Sequence, residues 1–357
     1  MILYYLIFFF LILRFTVTLF NFISNPKLTP TPKKYNDLVS ILIHEHHHEQ
    51  DITKLLESIL QQDYQNFEVI VLDDHCDNRA NQSSFEFSQT DSRFQVIKSK
   101  EIPKGWVRKN FVYYQLANMA KGKYFMFLSA DTIIANGLIN NTIHRMKMNK
   151  LALLSLFPNQ LMVSFGERIV VPLMNFILLN MLPVRLIHLS KNPAFVATSG
   201  QFMLFDAANY HHQQWHKQVK SKLVSDTEIM KLTKTAGYPV ETLLANGYIT
   251  CRMYKNFKDA LNGFSKILLA GFNNNIAGLL IYLLLVILGP IYIGYYLDMK
   301  LLFFAFSLII LSKIMISLSS EQNTLINIIL HPLQILSLLI ISVWSVIWYI
   351  EKKDTAI

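Results

Sequence analysis

Residues 38–74 read LVSILIHEHHHEQDITKLLESILQQDYQNFEVIVLDD, and the apolar hexamers near its two ends decide the fold. LVSILI (38–43) and FEVIVL (67–72) have the length and near-continuous apolar character of strands buried on both faces. Between them, residues 51–62 place Ile52, Leu55, Leu56, Ile59 and Leu60 at helical spacing. Two buried strands joined by a helix make a βαβ unit, which predicts a parallel sheet with a right-handed crossover. Further along, residues 94–97 predict a third strand, 111–120 a helix, and YFMFL (124–128) a fourth strand ending at Ser129, Ala130 and Asp131. Acidic residues therefore fall at two strand C-termini, Asp73 with Asp74 and then Asp131. In an open, Rossmann-like α/β sheet that edge is where ligands bind.

The chain has no GxGxxG after a strand and no GxxxxGK[ST], which argues against dinucleotide oxidoreductases and P-loop ATPases. A carboxylate pair at one strand end and a single carboxylate at another suit a metal-bridged diphosphate, because Mg²⁺ or Mn²⁺ takes one or two carboxylates together with phosphate oxygens. Aspartates at strand ends are also ordinary turn formers, and both readings stand at this point.

Composition separates the chain from ordinary soluble enzymes: of 357 residues, 52% are hydrophobic and only 16% charged. Residues 1–23 are apolar apart from Arg14 and a few uncharged polar side chains, and they approach the ~20 residues needed to span a bilayer. With no basic n-region, no small-residue cleavage site and Lys27, Lys33 and Lys34 close behind, this segment is expected to be an uncleaved anchor. Arg14 at mid-helix would cost about 2.5 to 3.5 kcal/mol in lipid, so it is expected to snorkel or to face another helix. Three more apolar runs, 276–297, 301–318 and 325–350, bring the expected number of spans to four. The polar domain of about 36–272 between them is expected in the cytoplasm at the inner membrane, although Lys352 and Lys353 then fall outside, against the positive-inside rule. Residues 169–184, apolar but interrupted by Pro172 and Pro183, read as an interfacial helix. The net charge of +9 comes from dispersed lysines and arginines, many beside the apolar runs, and predicts no nucleic-acid partner. Two cysteines, Cys76 and Cys251, exclude a disulfide scaffold.

In order along the chain come VSILI, LLESILQQDYQNFEVIVLDDHCD, PKGWVRKN, GKYFMFLSADT, SGQFMLF, VSDTEIMKLTKTAGY and CRMYKNFKDALNGFSK. From residue 39 to about 271 this series resembles the membrane-anchored family 2 glycosyltransferases of the GT-A fold, particularly the lipid-directed kind that includes carotenoid-acid glucosyltransferases. The resemblance implies a nucleotide-diphosphate sugar lying across the strand C-termini, with Asp74 on the nucleobase, Asp131 on Mg²⁺ or Mn²⁺ and Asp226 as catalytic base. It implies Lys109 and Arg252 on the diphosphate, and Gly200 and Gln201 in substrate binding. The acceptor it implies is a lipid or lipid-linked molecule at the membrane. Neither a Q-x-x-R-W motif nor further spans are present, so one sugar per acceptor is expected, with inversion.

The sequence also departs from that pattern. Where the family reads P-x-R-N-E-E, this chain has His44, Glu45, His46, His47, His48 and Glu49; D-x-D becomes Ser129, Ala130, Asp131; the E-D pair becomes Ser225, Asp226; and Arg108 stands for the second glycine of GWxGK. His46 is read as a base or ribose contact, with a solvated loop or a His44, His46, His48 metal site as the alternatives. Asp226 opens a helix expected to run to Gly237, so as an N-cap or first-turn acid it has a structural role available beside the catalytic one. His211, His212, Trp215 and His216 are expected at an interface. Taken together, the altered motifs keep a second class open: a catalytically inactive relative acting as a membrane scaffold or nucleotide sensor.

Overall fold

The computed structural model describes residues 2–45, 49–73, 82–296 and 299–354; His46 and Asp74 lie outside them, as does Cys76. The chain forms two compact units, one of Met1–Asn25, Gln160–Pro183 and Arg252–Ile357, the other of Pro26–Asn159 and Val184–Cys251.

The second unit is α/β. Its strands in chain order are β1 Val39–Glu45, β2 Phe67–Asp73, β3 Phe94–Lys98, β4 Tyr124–Ser129, β5 Thr132–Ile134, β6 Leu153–Phe157, β7 Asn159–Gln160, β8 Phe202–Asp206, β9 Val240–Leu244 and β10 Ile249–Cys251. Seven of them make one mostly parallel sheet in the order β3-β2-β1-β4-β8-β6-β9, with β8 antiparallel to both its neighbours. The four strands expected from the sequence are present with β1 at the centre of a parallel set. Ile52, Leu55, Leu56 and Ile59 of the Glu49–Leu60 helix are fully buried in one core with Ile41, Val69 and Val71, each contributing about 1.5 to 3 kcal/mol relative to exposure. Leu60, expected on the same face, is exposed.

Register brings the strand ends level. Glu45 pairs with Asp73 across β1 and β2, and His44 pairs with Ser129 across β1 and β4. Because β8 runs the other way, with Phe202 opposite Leu128, its N-terminal end lies at that same edge. Gly200 and Gln201 immediately precede it, and the Ser129 amide donates to the Gln201 carbonyl at 3.1 Å.

His216 and Trp215 are not interfacial. Both are buried, at 1% and 0% exposure, among Phe205, Tyr210, Phe127 and Tyr113, and the Tyr210 hydroxyl lies 2.7 Å from His216 Nδ1. An aromatic face can bury an imidazole once one ring nitrogen has a partner.

The first unit is helical. Among the described residues, four of its helices are long and apolar enough to cross a membrane: Tyr4–Ser24, Ile276–Tyr295, Met299–Ser319 and His331–Glu351. In the second of these, Leu284–Leu288 widens to a π turn directly before Gly289 and Pro290. A proline has no N–H to give to the preceding turn, and a π bulge absorbs the mismatch. The run expected to begin at 325 is split: a short helix, Thr324–Ile329, precedes the long one, whose second residue is Pro332. The segment expected as an interfacial helix is two helices, Phe165–Val170 and Pro172–Met181, broken at Pro172. Its residues Val170, Leu173, Phe176 and Leu179 are buried. Within this unit it is tied to the first apolar helix, where Thr18 donates to Asn180 Oδ1 at 2.8 Å and Asn21 donates to the carbonyls of Leu179 and Leu182.

Candidate active site

The helix Arg108–Met119 starts earlier than its apolar periodicity predicts, so it includes Lys109 and sets Tyr113 one turn further along the same face. The helix Ser225–Thr235 carries Asp226 in its first turn and is followed by Gly237, whose φ of +84° suits a helix stop. These two helices bring Lys109 and Asp226 together: Lys109 Nζ donates to Asp226 Oδ2 at 2.7 Å and Oδ1 at 3.0 Å, the side chains being 34% and 17% exposed. Gly200 packs directly on this pair; a Cβ there would strike the Asp226 carboxylate and the Lys109 ammonium. Three residues named from the sequence, Lys109, Gly200 and Asp226, are thus one cluster.

The Lys109 ammonium also lies 5.6 Å from the centre of the Tyr113 ring. Burial alone would lower the Lys109 pKa, but the charge of Asp226, helped by Tyr113 and the hydrogen bond to Asp226, outweighs it and holds the ammonium above its ordinary value. The Tyr113 phenol is pushed up chiefly by burial, against the nearby Lys109 and with the negative charges of Asp226 and Asp131. Tyr113 therefore feels both carboxylates and stays a neutral donor.

Asp131 sits two residues beyond the end of β4, and Gln201 faces it. The pairing of β5 with β10 sets Cys251 opposite Thr132. The Cys251 thiol donates to Asp131 Oδ2 at 3.1 Å, and Gln201 Nε2 lies 3.5 Å from that same oxygen and 2.6 Å from the sulfur. Asp131 Oδ1 is buried with no hydrogen-bond partner among the described residues. A buried carboxylate oxygen without a donor is costly unless a ligand meets it, so this atom fits a hard cation whose remaining ligands come from elsewhere. Among the described residues no group of three or more His, Cys, Asp or Glu side chains comes together.

Arg252 belongs to the other unit, where its guanidinium donates to Glu167 Oε1 at 2.8 Å. Glu167 is fully buried and also accepts from the Val163 amide and Ser164 hydroxyl; its carboxyl is held below the usual range because those donors, Arg252 first, outweigh the opposing effect of burial. The expected diphosphate contact is thus occupied by an ion pair in this structure.

The sequence did not name Tyr113 or Cys251 for the site, and it placed His216 at an interface instead. Tyr113 was legible as Lys109 plus four had the helix been started earlier, and Cys251 as the residue before Arg252. Burial pushes the His216 imidazole down to about 3, with Asp226 opposing and Lys109 adding to the shift. A depressed native pKa leaves stability unchanged above the ordinary value of 6.5 and removes it as pH falls from there toward 3, because only the unfolded chain takes the proton. At pH 5 the loss should be about 2 kcal/mol. Thermal unfolding of the full chain in detergent between pH 7 and pH 5 should show the decline, and His216→Phe should flatten it.

Residues 40–210 match the family model described as Glycosyl transferase family 2. Over 258 residues the chain is 22% identical to 4,4'-diaponeurosporenoate glycosyltransferase of Staphylococcus haemolyticus (strain JCSC1435), covering 71% of this chain and 67% of that protein. In fold it is similar to the mannosyltransferase PcManGT from Pyrobaculum calidifontis, solved in complex with GDP-Man and Mn2+, with a TM-score of 0.55 at 12% identity, over 96% of this chain and 99% of the other.

Proposed function

We infer that this family 2 glycosyltransferase, whose α/β unit has the GT-A architecture, transfers one sugar from a nucleotide-diphosphate sugar to a lipid or lipid-linked acceptor at the cytoplasmic face of a membrane, with inversion. The observation that carries the reading is the Lys109–Asp226 pair packed on Gly200 at the ligand edge of the sheet. The acceptor class is supported by the four apolar helices and by the carotenoid-type relative.

In this reading Asp226 takes the proton of an acceptor hydroxyl as its oxygen attacks the anomeric carbon, while the bond from that carbon to the diphosphate breaks. Lys109 has two possible partners. Donating to a phosphate oxygen, it neutralises charge on the leaving group and releases Asp226 to act as base. Gln201 and Cys251 orient Asp131 through one of its oxygens and leave the other available. A bound Mg²⁺ or Mn²⁺, held by Asp131 and the donor's diphosphate, would stabilise the departing nucleotide. Asp74 and His46 are proposed on the nucleobase and ribose, and Arg252 on the diphosphate once released from Glu167.

The purified full chain, given a panel of nucleotide sugars with extracted membrane lipids, should release nucleotide diphosphate in a divalent-dependent manner. Absence of release with every donor would defeat the reading, and binding of a nucleotide diphosphate without turnover would favour the sensor alternative. Asp131→Asn should weaken metal-dependent donor binding by about tenfold, and raised Mn²⁺ should restore part of the activity, since the remaining ligands belong to diphosphate and water. An unchanged Mn²⁺ titration in this variant would remove Asp131 from the metal.

A further inference from the structure

Two cations lie in the middle of apolar helices of the first unit, and neither has a carboxylate partner among the described residues. Lys313 is 3% exposed; its ammonium donates to Gln334 Oε1 at 2.6 Å and lies 4.3 Å from the centre of the Phe176 ring. The Arg14 guanidinium carbon lies 5.1 Å from that same ring, 5.5 Å from Phe10 and 5.8 Å from Tyr282. Among the described residues its Nε is buried without a hydrogen-bond partner, and so is the Tyr282 hydroxyl.

Sharing one aromatic ring, the two positive charges repel each other. Ionisable groups at membrane depth are expensive unless paired, and rings and one amide oxygen only partly replace water around a guanidinium and an ammonium. What the site lacks is negative charge with several acceptor oxygens. It offers the matching donors: a planar guanidinium suited to bidentate recognition of a carboxylate or phosphate, an ammonium and a phenol. Because these donors are set among apolar helices, an acid carried on an apolar chain suits them better than a free anion. We propose that Arg14, Lys313 and Tyr282 form a binding site for the acidic head group, carboxylate or phosphate, of a lipid. The site stands on the helical unit alone and does not depend on the sugar-transfer reading.

The test uses the full chain in a mild non-ionic detergent, probed with palmitic acid, hexadecanol, phosphatidylglycerol, phosphatidylcholine and inorganic phosphate, with retention read by native mass spectrometry. The wild type should retain palmitic acid or phosphatidylglycerol and discriminate against hexadecanol, phosphatidylcholine and inorganic phosphate. Retention of palmitic acid that phosphatidylglycerol does not displace identifies a free lipid acid as the ligand; displacement identifies a phospholipid head group. Lys313→Met and Arg14→Gln should weaken retention about tenfold or more, while Lys313→Arg, which keeps the charge, should preserve it. Thermal unfolding of each variant reports its fold. Equal retention of the acid and the alcohol by the wild type overturns the site whether or not the variants fold, as does unchanged retention in folded Lys313→Met and Arg14→Gln. Because the readout is lipid retention and not nucleotide release, a failure here leaves the catalytic reading untouched.

Discussion

Asp226→Asn lowers turnover by about 10² to 10⁴, the usual contribution of a positioned general base, and leaves donor affinity nearly intact. The substitution keeps size and hydrogen bonding to Lys109 but removes the proton acceptor. Its structural cost is small. Asp226 sits in the first turn of its helix without serving as the cap, so Asn forfeits a few tenths of a kcal/mol of dipole interaction, and the partly exposed ion pair with Lys109 is worth about 1 kcal/mol at most. A near-wild-type unfolding midpoint together with a collapsed kcat is therefore the expected pair of results. If the folded variant keeps most of its transfer activity, the base lies elsewhere, and Glu228 in the same turn is the next carboxylate to test.

Gly200→Ala should cost about 10² in kcat without unfolding the protein, since a displacement of about 1 Å at a reacting group is enough for that loss. The glycine's backbone is not in the left-handed region, so alanine is tolerated conformationally. What the methyl meets is the Asp226 carboxylate and the Lys109 ammonium, both ends of side chains that can swing aside. The fold survives and the pair is displaced. Combined with Asp226→Asn, the alanine should add far less than its separate effect, because both changes disable the same group. Wild-type kcat in Gly200→Ala, or full additivity in the double variant, would show that the pair's geometry is not what supports turnover.

The parallel half of the sheet was legible because β1, β2 and β4 are continuous apolar runs ending in turn-forming or acidic residues. The other half was not. LLSLF in β6 and VETLL in β9 are short apolar runs with no periodicity to separate strand from helix, and β8 was visible only as part of a motif. Among the candidate site residues, Asp226, Lys109, Gly200, Gln201 and Asp131 were named by motif, yet their pairings were not. The Lys109–Asp226 bond joins positions far apart in sequence, and Arg252's pairing with Glu167 depends on a buried acid whose neighbourhood no local pattern reveals. Trp215 and His216 misled for the opposite reason: an aromatic shell accepts a neutral imidazole that composition alone places outside.

The peptide entering β8 touches both carboxylates, Gly200 lying on Asp226 and Gln201 on Asp131, and its carbonyl is pinned to Ser129 at the end of β4. On the proposed roles of Asp226 and Asp131, donor choice and transfer rate are therefore not separate dials. A substitution at Gln201 that shifts Asp131 would be felt one residue away by Asp226, and any lengthening of the preceding segment would move the two together.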